Sequence, residues 1–564
     1  TTANYNTAVG AFSLDANTTG ARNTCVGFGA LTDNTTADEN TAMGYHSLFA
    51  NTTGINNTGL GYGALSATTT SSYNTSVGSH SLQDNTTGAR NTAVGYKALA
   101  DNTTGSDNVA VGDLALELHT TGSHNIAIGK SALAANTTQS YSVAIGKSAL
   151  AANTSGSGNH AVGYGALQAN TTGEHNTALG QNCLEKVTTN SNNTGVGYQV
   201  LYDNTGQNNT AVGSFALYEN TSGNQNTAIG TEAMQNNTTG AGNVAVGYET
   251  LRDNTTATRH TALGYAALRA NTGASDNTAL GYIALYVNTT GAENTAVGSY
   301  SLYTNTTGGE NSSLGYNALG ANTTGSDNVA VGKSALSSNT TASHNTAIGH
   351  EALELNTTGA NNTACGNEAL TDNTTGSQNT GCGYYAGQVN TTGDWNIAVG
   401  YYALKGNTTA SNNVAVGSYS LQDNTTGANN VAVGHYALKS HTTGSSNVAI
   451  GKDAGAAVTT GSENTFVGIF CGDAVTTGNE NCALGKGALT TVTTGLKNVA
   501  MGSSAGQVIL DGEANTCIGF DCGNGISSGD NNMTLGKRSG TAQSPSGNIT
   551  TGSNIICLGN NDIT

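Results

Sequence analysis

The stretch 91–107 reads NTAVGYKALADNTTGSD, and the same phrase returns with small changes at Asn108, Asn125, Ser142, Asn159 and Asn176. The spacing is 17 residues, and stepping by it in both directions reaches Asn6 and Asn532 with one slip, a residue deleted within Asn204–Gly206. A last phrase ends at Gly559 after a six-residue insertion around Pro545, so about 33 copies fill the chain. A short fixed period marks a repeat architecture, whose units are too small to fold alone and bury a core by stacking.

With Asn91 numbered as offset 0, each column of the repeat can be read by itself. Offset 4 is Gly in every copy, as at Gly10, Gly95, Gly264 and Gly536. That strictness predicts a backbone geometry, or a close approach, that a Cβ would obstruct. Offset 3 is nearly always Val, Ile or Leu and offset 8 is Leu in almost every copy up to Leu370, so both are expected to be core columns. Offsets 0–4 alternate in side-chain size with period two and predict a strand, with a second short strand over offsets 5–9. Offsets 11–14 usually read Asn-Thr-Thr-Gly, which predicts a corner. The Ala columns at offsets 2 and 7 leave room for close packing, between sheets or against a second chain, and a homo-oligomer, a trimer first, is expected.

These columns predict an all-β chain, a parallel β-solenoid (β-roll or β-helix) of about 33 coils, mostly of 17 residues each. Three segments are distinguished. Residues 1–382 are regular repeats with Leu at offset 8, residues 383–536 continue with a variant core, and residues 537–564 hold the irregular last repeat. In the middle segment offset 8 becomes Gly at Gly387, Gly455, Gly472, Gly506 and Gly523, while Val458, Val475 and Ile509 take offset 11. The core there is expected to be filled from a different corner.

Composition excludes several classes. Only 9% of the 564 residues are charged, and there is one Pro and one Trp. The net charge of -18 comes from 35 acidic and 17 basic residues without runs of either sign, so no nucleic-acid partner is expected. No apolar run is long enough for a membrane segment, and any export signal or anchor is expected outside this chain, if one exists. The array opens on Thr1 and Thr2, at offsets 12 and 13, which predicts either a longer chain or subunits joined head to tail.

Candidate chemistry is sparse. The histidines lack the spacing and partners of a metal site and are expected at the surface or at corners. Nothing resembles a catalytic carboxylate cluster, so no enzyme activity, cofactor or metal is expected. Cys365 and Cys382 share offset 3 in consecutive coils, as a candidate disulfide or as two buried thiols. Tyr248, Tyr265 and Tyr282 share offset 5 and form a candidate aromatic ladder, for cohesion or as a sugar-binding strip. Asn17, Asn34, Asn51, Asn85, Asn102, Asn170 and Asn237 begin formal N-glycosylation sequons at offset 11, with an internal Asn ladder as the other reading of that column.

The phrase SVAIGKSALA at 142–151, with NIAIGKSALA and NVAVGKSAL elsewhere, resembles the head repeat of YadA-type trimeric autotransporter adhesins. That resemblance covers offsets 0–8 of most coils and implies left-handed parallel β-rolls, assembled as trimers, that bind host surfaces. The coil here is longer by its Asn-Thr-Thr-Gly corner, and residues 1–564 contain no stretch expected to form a coiled-coil stalk or membrane barrel. Repeats of the NTAVGYxALxxNTTG kind also look like those of phage and bacterial fibre proteins. The function expected is a structural extracellular fibre at a cell or virion surface, as a filament subunit, tail fibre or adhesin rod. It would self-associate as a homotrimer or a head-to-tail filament and could carry or bind cell-surface glycans. An ice- or glycan-binding solenoid is the alternative.

Overall fold

The computed structural model describes residues 3–544 and 547–559, so the core of the insertion at Pro545 and the extreme ends lie outside the described residues. The chain is a parallel β-solenoid with one three-residue strand per coil and no helix among the described residues. It divides into two compact units, Thr1–Asn277 and Thr278–Thr564. The first holds 16 strands, β1 (Thr7–Val9) to β16 (Thr261–Leu263), and the second 17, β17 (Thr278–Leu280) to β33 (Ile556–Leu558). Within each unit, successive strands pair in parallel and in strict register, as in Thr92↔Val109, Ala93↔Ala110 and Val94↔Val111. The deletion at Asn204–Gly206 leaves the register intact, Thr194 pairing with Thr210.

The strand occupies offsets 1–3, and its inward residue is offset 2. Ala93, Ala110, Ala245 and Ala415 are all fully buried. Offset 3, expected in the core, points outward instead, and no residue in that column is buried. The coil interior is narrow. Leu at offset 8 crosses it from the opposite wall, as Leu99 and Leu116 do at 0% exposure, and leaves room for only a methyl group on the strand. The Ala columns at offsets 2 and 7 therefore line the inside of the coil rather than a contact with another chain.

The second predicted strand, over offsets 5–9, is replaced by a run of turns. Offsets 6 and 8 lie in the left-handed region, as in Lys97 (φ 52°) and Leu99 (φ 55°), which no β-strand tolerates. The alternation swings successive backbone N–H groups along the stacking axis. Lys97 N donates backward to Ser79 O at 3.0 Å, while Leu99 N and Asp101 N donate forward to Ala115 O and Glu117 O at 2.9 and 3.1 Å. Coil-to-coil hydrogen bonding continues at the corner, where Thr103 N donates to Thr120 O at 2.8 Å, so backbone donors stay satisfied without a second sheet.

The left-handed φ at offset 8 explains the later change of core. Glycine adopts that conformation without the steric cost a side chain carries, and Gly455 and Gly472 sit there at φ 58° and 60°. Removing two leucines opens space, and Phe466, at offset 2 where most other coils carry Ala, fills it at 0% exposure. A Cβ on Gly472 would lie 2.5 Å from the Phe466 ring, and one on Gly455 2.9 Å from it. Val458, Val475, Val492, Ile509 and Ile526 replace the Asn of offset 11 and are fully buried, so that column does face inward. Phe466→Ala is expected to lower stability by about 3–5 kcal/mol through the cavity it leaves. Adding Gly472→Leu to Phe466→Ala rebuilds the arrangement of the earlier coils, and urea denaturation should show the double variant recovering part of that loss.

Candidate functional surfaces

Two asparagine ladders run inside the coils. At offset 0, Asn91 Nδ2 donates to Gly105 O of its own coil at 2.8 Å, and its Oδ1 accepts the backbone N–H of Asn108 in the next coil at 3.0 Å. At offset 11, Asn102 Nδ2 donates to the same Gly105 O at 3.0 Å and to Asn85 Oδ1 of the preceding coil at 2.7 Å. One carbonyl per coil is thus clamped by two amides. Identical amides stacked at strand spacing share donors and acceptors along the axis, which is why one polar residue type recurs in a buried column.

This placement bears directly on the sequons. Asn34, Asn51, Asn85, Asn102, Asn170 and Asn237 are 0% exposed, and Asn17 is half-buried. Their Nδ2 atoms donate inward, as from Asn34 to Asn17 Oδ1 (2.9 Å), from Asn170 to Asn153 Oδ1 (2.9 Å) and from Asn237 to Asn220 Oδ1 (2.7 Å). In the closed coil these nitrogens face the interior, not an outer edge. The neighbouring Thr of offset 12 is also engaged, Thr103 Oγ1 donating to Thr120 O at 3.0 Å.

Three histidines, expected at the surface or at corners, are buried, two of them at the corner. His119 and His441 stand in the offset 11 column and His260 in the offset 0 column, all essentially unexposed. His260 Nδ1 takes the part of an Asn Oδ1 and accepts the backbone N–H of Asn277 at 3.2 Å. Burial pushes its pKa down from 6.5 to about 4, against weaker opposing hydrogen bonds. Between those values the unfolded chain binds a proton that the folded chain does not. The stability held by neutral His260 is therefore complete above pH 6.5, falls as pH drops toward 4 and is level below it, a change of about 3 kcal/mol. Urea titrations across that range should show this slope reduced in His260→Asn.

The outer surfaces are two stripes. The first is the strand face, with Thr or Val at offset 1 and Val, Ile, Leu or Met at offset 3. Its large side chains are half exposed in coil after coil, among them Leu179 (48%), Leu263 (48%) and Leu314 (51%). Cys365 and Cys382 belong to this stripe. They are paired in register between adjacent strands and face outward, so they are not core thiols. The second stripe is aromatic. Tyr248 and Tyr265 are exposed and stack with centroids 5.3 Å apart and planes at 17°. Tyr282 belongs to the second unit, where Tyr300 lies 5.7 Å away at a tilt. Within the second unit, Tyr384 and Tyr401 occupy the same offset and stack at 5.5 Å. Stacked rings turn their faces largely toward each other and leave edges and hydroxyls outward, an arrangement suited to cohesion between coils more than to a flat platform.

Among the described residues no three His, Cys, Asp or Glu side chains come together in a group that could hold a metal ion, and no described helix is long and apolar enough to cross a membrane. Fold and surfaces together define a β-solenoid repeat scaffold, with an interior built on asparagine, alanine and leucine and an apolar stripe outside. No protein-family model matches the sequence, and no curated protein matches it.

Proposed function

We propose that this chain is a structural rod of an extracellular fibre, and that copies of it associate side by side through the strand-face stripe. The observation that carries this reading is the column of partly exposed apolar side chains at offset 3, which is Val, Ile, Leu or Met in every coil of the first unit. In the first unit alone it runs over 16 strands. At about 4.8 Å per strand and about 10 Å width that is roughly 750 Å² per chain, close to one side of a standard protein interface. Contiguous apolar surface of this extent marks an interaction site. A trimer about the stripe fits the proposal, as does a place at a cell or virion surface.

Sedimentation equilibrium tests the association. The chain is expected to sediment at a multiple of 56.3 kDa, and Ile145→Lys/Leu179→Lys/Ile229→Lys to shift it to the monomer with an unchanged circular dichroism spectrum. A monomer with the stripe intact would sink the reading.

One observation favours a second reading. Offset 1 of the same face carries Thr in many coils, among them Thr92, Thr177, Thr194, Thr210 and Thr227, so hydroxyl and methyl groups form parallel rows on a rigid surface. Such a face, left open, would suit ice binding. Thermal hysteresis from a monomeric chain would favour that use over assembly.

A further inference from the structure

We propose that Cys517 and Cys522 form a disulfide inside their own coil, a covalent staple across the core near the C-terminal end of the described array. This inference is independent of the fibre reading. The two residues stand at offsets 2 and 7 of the coil that begins at Asn515, and both are 0% exposed.

Other coils show what these two offsets do. Ser76 and Ser81 occupy them in the coil of Asn74, where their hydroxyls touch across the interior and Ser76 Oγ also donates to Ser81 O at 2.8 Å. Ser313 reaches Ala318 O in the same way at 3.0 Å. Offsets 2 and 7 of one coil therefore face each other, and in most coils both are Ala, as with Ala93 and Ala98. Cys25 faces Ala30, Cys183 faces Ala178 and Cys471 faces Phe466. Among the described residues, cysteine faces cysteine in this way only at 517 and 522.

The coil is also opened to receive the sulfurs. Offset 8 is Gly523 instead of Leu, and a Cβ there would fall on the Cys517 sulfur. The neighbouring Cys517 and burial together push the Cys522 thiol pKa up.

The chemistry is thiol–disulfide exchange with a low-molecular-weight disulfide, RSSR. The thiolate of one cysteine attacks one sulfur and expels RS⁻, leaving a mixed disulfide. The thiolate of the other then attacks that protein sulfur and expels the second RS⁻. In sum, two cysteine thiols and RSSR become one protein disulfide and two RSH. Because the pair is sealed in the stacked coil, exchange takes place before the following coil closes over it.

The test is to refold the chain in a mixture of oxidised and reduced glutathione, denature it in an alkylating reagent and map its peptides. Cys517 and Cys522 are expected linked, two hydrogens lighter and unlabelled, with Cys25, Cys183 and Cys471 labelled. Cys517→Ala/Cys522→Ala restores the alanine pair of most coils and should fold. Limited proteolysis of the C-terminal coils should be roughly tenfold slower in the oxidised than in the reduced chain, and independent of redox state in the double variant. Full alkylation of both thiols after oxidative refolding, linkage of either to another cysteine, or equal proteolysis rates would overturn the proposal.

Discussion

Gly434→Ala is expected to split the second unit at one junction between coils, although it adds a single methyl group. Gly434 is the offset 4 glycine of its coil, with φ at 135°, and a Cβ on it would lie 2.5 Å from the carbonyl oxygen and 2.7 Å from the carbonyl carbon of Gly451 in the next coil. Neither atom can yield, because both belong to the backbone that holds the parallel register of Val431–Val433 on Val448–Ile450. Strain and overlap together place the cost above about 4 kcal/mol. In a stack stabilised by nearest neighbours, such a defect acts locally. Urea denaturation should then show two transitions where the parent shows one, with new proteolytic cleavage close to residue 434. Gly427→Ala is the control. That offset 14 position is also crowded by its neighbours, yet Ala37, Ala257, Ala274, Ala342 and Ala410 occupy it in other coils. Its φ lies outside the left-handed region, and a small shift admits the methyl group. The control should cost under about 1 kcal/mol, and a single unchanged transition in Gly434→Ala would show that offset 4 glycine is not needed for stacking.

The contrast between these two glycines shows what could be read from the repeat and what could not. The parallel solenoid, the obligatory glycine at offset 4, Leu at offset 8 in the core and the late switch to Val458 and Val475 all follow from columns in which one residue type dominates. The strand was legible too, but not its sense. Period two leaves a choice of face, and a shift by one residue exchanges inside for outside. Size suggested Val94 inside. The narrow coil put Ala93 there, and the cue was strictness: offset 2 stays small except at Phe466, while offset 3 accepts Val, Ile, Leu, Met or Cys. Likewise, Gly63 and Gly165 at offset 6 and Gly387 at offset 8 mark a left-handed backbone where a second strand was expected. Exposure of the stripe, burial of His260 and contact across offsets 2 and 7 depend on how the coil closes, and no single column carries that information.

Asn91, the first residue of the phrase that reveals the period, is where loss of one side chain should be felt most among the polar positions. Asn91→Ala removes the donor to Gly105 O and the acceptor for both Asn108 N (3.0 Å) and Asn108 Nδ2 (3.2 Å). Gly105 O keeps Asn102 as a partner. The buried N–H of Asn108 keeps none from this ladder, and the expected loss is about 2–4 kcal/mol by urea denaturation. The chain contains its own natural counterpart. Ser142 replaces Asn at the same offset, and its buried hydroxyl has no hydrogen-bond partner. Ser142→Asn should therefore stabilise the fold by about 1–2 kcal/mol. Asn91→Asp separates shape from hydrogen bonding, since a carboxylate can still accept from Asn108 but faces Gly105 O without a proton to donate. Burial and the lost donor would raise the carboxyl pKa in the folded state above its unfolded value. The folded chain then binds more protons than the unfolded chain, and stability rises as pH falls, opposite in sign to the effect at His260. If Asn91→Ala and Asn91→Asp both left stability unchanged at neutral pH, the amide ladders would be passengers in the fold, and the coils would be held by their backbone bonds and alanine core alone.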